Sequence, residues 1–131
     1  MTPLLSLIVY TTLLTFLAIM LGAFLRNREW TPEGLKVGLS NRDELPDATP
    51  LGGRAERAAA NSIEALILFV PLALSAQLAG SAEAATLGAT VFFWARVAYL
   101  PIYLIGIPYL RSLVWAIGVA GLAMMVSKLL A

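Results

Sequence analysis

The chain contains no cysteine and no histidine. The first absence excludes disulfides and a cysteine nucleophile. The second excludes imidazole acid–base chemistry and haem ligation by histidine, and together they exclude zinc sites of the usual Cys/His kind. Charge is also scarce: 13% of residues are charged and 60% hydrophobic, whereas soluble domains average about 25% charged. A net charge of +1 and the lack of a basic stripe argue against a nucleic-acid partner. Asp43, Glu44 and Asp47 share a loop without the spacing of a calcium loop, so no metal site is expected. Any thiol chemistry must arrive with a ligand.

What the sequence does hold is long apolar runs. Residues 4–25 carry no charge and match the ~20 residues a spanning helix needs. No Lys or Arg precedes the run and it is too long for the apolar part of a signal peptide, while Arg26 and Arg28 follow it as a stop. Residues 26–53 read as a polar loop punctuated by Gly and Pro, in which Thr31-Pro32-Glu33 opens a short interfacial turn. Further helices are expected at about 54–80, with Pro71 as a kink, at about 84–105 and at about 109–130. The expected architecture is all-α: a single-domain integral membrane bundle of four helices running up, down, up and down. Small residues at Ala18 and Gly22, and at Ala116, Gly118 and Gly121, suit close helix contacts.

Arg26, Arg28, Lys36, Arg42, Arg54 and Arg57 make up six of the nine basic residues. By the positive-inside rule the 26–53 loop lies in the cytoplasm. Both termini then lie outside, which in a bacterial inner membrane is the periplasm. Arg111 falls at the turn between the last two long helices, on the side of the basic loop.

Arg54, Arg57, Asn61 and Glu64 follow one another at steps of 3, 4 and 3, which places them on one helix face. The ladder climbs about 15 Å, from the interface into the hydrocarbon. There a charge costs roughly 2.5–3.5 kcal/mol. Arg54, like Arg26 and Arg28, also suits an interfacial anchor, because a long stem lets the cation reach water. Glu64 has a short stem and needs a partner or a wet cavity. Arg96, Tyr99 and Tyr103 form a matching stripe on the antiparallel helix, with Arg96 at a depth similar to Glu64. An ion pair or a shared polar network between Glu64 and Arg96 is therefore expected, either structural or part of a site. Arg111 and Ser112 open the last helix at the mouth. Arginines suit carboxylates, a carboxylate suits an ammonium, and tyrosines offer flat faces and hydroxyls. Glutathione, with two carboxylates, one ammonium and one thiol, fits this set.

The segment from Arg54 through Arg57 and Asn61 to Glu64 resembles the second-helix signature of the MAPEG family, the membrane-associated proteins in eicosanoid and glutathione metabolism. Ala95-Arg96-Val97-Ala98-Tyr99 with Tyr103, and Leu110-Arg111-Ser112, resemble its third-helix motif and the start of its fourth helix. The Asn41-Arg42-Asp43 loop resembles the bacterial branch, and Trp115 stands where some members carry a tyrosine. The resemblance implies a homotrimer that binds glutathione as co-substrate between neighbouring subunits. Arg57, Asn61 and Glu64 would hold the glutathione backbone, and Tyr99 and Tyr103 would complete the pocket. Arg26 or Arg28 of the adjacent subunit would meet a carboxylate. Arg111 with Ser112 would stabilise the thiolate, since a neighbouring cation lowers a thiol pKa. The implied activity is a glutathione-dependent transferase or peroxidase acting on lipophilic small molecules from the bilayer. The alternatives are a non-catalytic subunit of a larger membrane complex, or a binding module for a small anion or lipid.

Overall fold

A computed structural model describes residues 1–131. It contains five helices and no strands: α1 (Pro3–Asn27), α2 (Pro32–Leu39), α3 (Pro50–Leu78), α4 (Ala82–Ile105) and α5 (Pro108–Leu129). All except α2 are long and apolar enough to cross a membrane. The protein is thus an all-α integral membrane protein with an up-down-up-down bundle.

The helix starts share a chemical device. Thr2, Thr31 and Thr49 each precede a proline and each cap a helix, accepting from the backbone N–H of Leu5, Gly34 and Gly52 at 3.2, 3.0 and 3.0 Å. A threonine cap followed by proline suits a helix start: the hydroxyl satisfies an orphan donor, and the ring removes one while presetting φ. This corrects two expectations. α3 begins at Pro50, one turn before Arg54, because Gly52 and Gly53 lie within its first turns and do not extend the loop. Residues 32–39, expected as a turn within the loop, close into the short helix α2.

Two apolar clusters fill the bundle. At the end that carries the termini, Phe69 stacks on Phe92 with ring centroids 4.6 Å apart, packed with Leu4, Leu7, Ala73, Ala89 and Met125. At the basic end, Ala18, Ala58, Ala95, Tyr99, Leu100, Tyr103 and Val114 form the second cluster. α4 and α5 approach closely: a Cβ on Gly121 would lie 2.6 Å from the Gly88 carbonyl oxygen, and one on Gly88 equally near that of Gly121. Ala116, expected with Gly118 and Gly121 at a helix contact, is exposed.

The bundle is open on one side. α5 packs on α4 and more lightly on α3, and it does not meet α1. A groove therefore runs between α3 and α5 with α4 as its floor. The turn from α4 into α5 closes its basic end, where Gly106 adopts a left-handed φ of 88° and donates to the Ile102 carbonyl. A residue with a side chain resists that φ.

Candidate functional site

The groove is lined by the ladder residues of α3. At its basic mouth, Arg54, Arg57, Tyr103 and Arg111 surround a cleft of about 320 Å³. Next to it, Asn61, Tyr99, Arg111, Ser112 and Trp115 line a cleft of about 210 Å³. Deeper still, Asn61, Glu64, Arg96 and Trp115 form the polar end of a cleft of about 170 Å³, whose other walls include Leu68, Phe92, Val119 and Leu122. Arg111 is common to the first two, and Asn61 and Trp115 to the last two. The result is one path from a cationic mouth, through a mixed polar section, into an apolar trough.

Each polar group is placed by an identifiable contact. Arg57 donates from Nε to the Tyr103 hydroxyl at 3.2 Å. Tyr103 meets Tyr99 edge to face, with centroids 5.4 Å apart, and carries the Arg111 guanidinium over its ring at 4.8 Å. The ring face is negative, so it holds the Arg111 cation without neutralising it. Arg54 donates from Nε to the Leu104 carbonyl at 3.0 Å, where it satisfies a free acceptor at the end of α4. Ser112 donates to the Pro108 carbonyl at 3.3 Å. No side chain caps α5, so its first N–H groups stay open to an anion beside Arg111.

Two acceptors are left without donors. The Asn61 Oδ1 is buried with no hydrogen-bond partner. Glu64 is exposed on the single chain and has no cation within 4.0 Å, since the one ion pair present joins Arg26 to Glu56. Of the two arrangements expected for Glu64 and Arg96, a direct ion pair is therefore absent, and the two side chains share a cleft without touching. Arg96 instead donates from Nη2 to the Ser62 hydroxyl at 3.2 Å and lies 4.1 Å from the Tyr99 ring centroid. Glu64 and Arg96 lie at similar depth and line the same cleft. Around the helix, however, Ser62 and Glu64 differ by about 200° at 3.6 residues per turn, and it is Ser62 that faces Arg96 on α4. The sequence held a signal for this. Among the buried residues of α3 (Gly52, Ala55, Ala58, Ser62, Phe69, Ala73 and Ala76), Ser62 is the one polar side chain.

Arg26 and Arg28 are not brought to this groove. Arg26 lines a cleft of about 250 Å³ between α1 and α3, with Gly22, Asn27, Arg42, Glu56 and Ala59. Its Nε lies 3.4 Å from the Glu56 carboxylate. Nε and Nη1 are nonetheless buried without a hydrogen-bond acceptor, so this pairing is electrostatic only. Arg28 caps the end of α1 with a left-handed backbone, φ 54°, and its side chain is exposed. In the sequence Trp115 signals only a departure from related chains, which carry a tyrosine there in some members. The structure puts it at the boundary between the polar section and the apolar trough.

The arrangement can bind a molecule with anionic groups at the mouth and a donor group beside Asn61 and Glu64. The trough can take an apolar chain. A model of the family described as the MAPEG family matches residues 3–131, essentially the whole chain. No curated protein and no solved structure matches it.

Proposed function

The chain belongs to the MAPEG family, and from that premise we propose that it is a membrane-bound, glutathione-dependent transferase or peroxidase acting on lipophilic electrophiles. One observation carries this reading. The groove presents an unpaired carboxylate and an orphaned amide oxygen beside free cations, and it opens directly onto an apolar trough.

The donor set fits glutathione. Asn61 Oδ1 needs a donor and Glu64 needs a cation. A peptide ammonium answers the carboxylate, and a neighbouring N–H answers the amide. Arg57 and Arg111 keep N–H groups for carboxylates and for a thiolate. Glutathione supplies the thiol that this chain lacks. In this reading Arg57, Asn61 and Glu64 bind its backbone, Tyr103 orients Arg57, and Tyr99 walls the pocket. Arg54 sits at the mouth and firms the end of α4. Arg111, with Ser112 and the uncapped start of α5, holds the sulfur as thiolate. A free thiol has a pKa near 8.5, and an adjacent cation and a helix N-terminus both favour the anion. Electrophiles reach the trough from the bilayer.

Exposure of Glu64 on the single chain supports assembly as a homotrimer. A carboxylate at this depth facing lipid costs roughly 2.5–3.5 kcal/mol, and a neighbouring subunit that covers the groove removes that contact. Arg26, with its unused N–H groups on the α1–α3 face, is then the cation a neighbour contributes to the ligand, and Arg28 lies near the same end. By the excess of Lys and Arg around α2, the basic end faces the cytoplasm of a bacterial inner membrane, and both termini face the periplasm.

Calorimetric titration of the protein in lipid nanodiscs with glutathione tests the reading, together with thiolate absorbance of the bound thiol. Saturable binding with thiolate formation near neutral pH is expected. No binding up to millimolar glutathione would rule the reading out.

A further inference from the structure

One apolar surface lies outside both packed clusters and outside the groove. α2 meets α1 and no other helix, so most of its surface has no protein partner. Around its axis, at about 100° per residue, the side chains sort by chemistry. Gly34 and Gly38 form one face. A Cβ on Gly34 would strike the Asn27 and Arg28 carbonyl oxygens, and one on Gly38 the Glu29 carboxylate, so this face is pressed against the end of α1. About a third of a turn away, Pro32, Leu35 and Leu39 form a second face, and all three are exposed. Leu39 is 81% exposed. Lys36 stands at the edge of this apolar face, and Glu33 lies on the remaining side.

The depth of the apolar face follows from α1. Its uncharged run ends at Leu25. Arg28 is three residues on, a rise of about 4.5 Å, and its left-handed backbone ends the helix there. Gly34 rests on that end, which sets α2 within the headgroup layer, about 5–8 Å thick on each side of the hydrocarbon. Trp30 joins the two levels. Its ring centroid lies 5.4 Å from that of Phe24, a residue of the uncharged run. Phe24 ends an exposed stripe along α1 that includes Val9, Leu13, Leu17 and Met20. At Phe24 this stripe is turned about 160° from Arg26, which looks into the α1–α3 cleft. Turned away from α3, it is the face that α1 offers to acyl chains. Exposed Trp30 continues it into the headgroup layer, where tryptophan is favoured.

We propose that α2 is an in-plane membrane anchor, which lies on the phospholipid surface at the basic end of the bundle. Pro32, Leu35 and Leu39 sit at the acyl boundary, as the apolar face of an interfacial helix does. The Lys36 stem lies along that boundary and its ammonium reaches lipid phosphate. The occupant is lipid because the lipid-facing stripe of α1 runs up to Trp30, and because water would leave these side chains hydrated a few ångströms from hydrocarbon. Arg42 couples the anchor to the rest of the protein. Its Nε and Nη2 donate to the Gly38 carbonyl at 3.3 and 3.0 Å, and it lines the α1–α3 cleft together with Arg26. The lipid surface thereby holds the loop that borders that cleft.

The native chain has no cysteine, so a single introduced one carries a nitroxide spin label without further change. Leu35→Cys, Leu39→Cys and Glu33→Cys all replace exposed residues. The labelled proteins are placed in nanodiscs of phosphatidylethanolamine and phosphatidylglycerol, and relaxation of the label by oxygen, which concentrates in lipid, is compared with relaxation by a water-soluble nickel chelate. At positions 35 and 39 oxygen is expected to be the stronger relaxant, and at position 33 the chelate. Independently, Trp30 is left as the only tryptophan by Trp94→Phe and Trp115→Phe. Lipids brominated near the carboxyl end of the chain should quench its fluorescence more than lipids brominated near the methyl end or aqueous iodide. Chelate dominance at all three positions means that α2 stands off the bilayer, and it overturns the inference. Shielding of 35 and 39 from both relaxants means that a second copy or another protein covers the face, and it overturns the inference equally. Iodide as the strongest quencher of Trp30 does the same.

Discussion

Arg96 donates to the Ser62 hydroxyl at 3.2 Å, and Ser62 in turn donates to the Ala58 carbonyl one turn back at 2.8 Å. The serine is thus a fixed acceptor, held by its own helix, at the junction of the two apolar clusters. Ser62→Ala removes an acceptor from a buried cation. The expected destabilisation is about 1–3 kcal/mol, read as a lowered thermal midpoint in detergent. An unchanged midpoint would show that the bond contributes nothing to stability.

Glu64 has the opposite situation, a charge with no partner on its own chain. Glu64→Gln should therefore leave thermal stability unchanged or raised. It should weaken glutathione binding roughly tenfold or more, the loss expected from a charge-assisted hydrogen bond of about 1.5–3 kcal/mol. Calorimetry on the variant checks this, and a stability loss comparable to that of Ser62→Ala would point instead to a structural role.

Arg111→Ala separates binding from activation. Arg111 sits over Tyr103 at the start of α5, where it meets the sulfur in the proposed mode. The variant should bind glutathione more tightly than Glu64→Gln does. Its bound thiol should lose the lowered pKa and return toward the free value near 8.5. A depressed thiol pKa means that the thiolate is already present below that value, so the rate–pH profile of the unaltered protein rises at lower pH than that of the variant. Equal affinity losses in the two variants would undo these role assignments.

The α4–α5 crossing tolerates no added volume at Gly121. A Cβ there would meet the Gly88 oxygen at 2.6 Å and the Phe92 backbone nitrogen at 2.7 Å, whereas at Gly118 the nearest atom is the Ala95 Cβ at 3.6 Å. Gly121→Ala should therefore cost about 1–3 kcal/mol through forced backbone shifts, while Gly118→Ala is tolerated. Thermal denaturation of the two variants side by side decides it, and equal midpoints would contradict the close crossing.

The Arg26–Glu56 pair should matter little to stability. Its carboxylate is 60% exposed, and exposed pairs typically contribute ~0–1 kcal/mol. Glu56→Gln should leave the thermal midpoint nearly unchanged. If Arg26 serves a neighbouring subunit's ligand, Arg26→Ala should weaken glutathione binding with little change in monomer packing. Binding equal to that of the unaltered protein would remove Arg26 from the site.

Composition and periodicity were enough to determine the class of this protein. Four uncharged or nearly uncharged segments have no stable place except a bilayer, where only backbone-satisfied helices span. Helical spacing likewise grouped Arg57, Asn61 and Glu64 on one face, and Arg96, Tyr99 and Tyr103 on another. Both follow from fixed geometry along a single helix. The start of α3 at Thr49-Pro50 was missed, because the glycines after it read as loop: in isolation they weaken a helix, and packing of α3 against α1 overrides that. Rotation between helices depends on which stripe packs, and here small side chains decide it. Ala55, Ala58 and Ser62 turn toward the bundle interior, which gives Arg96 to Ser62 and leaves Glu64 in the open groove. Spacing along one helix carries no information on that choice, because it is made by contacts between residues far apart in the chain.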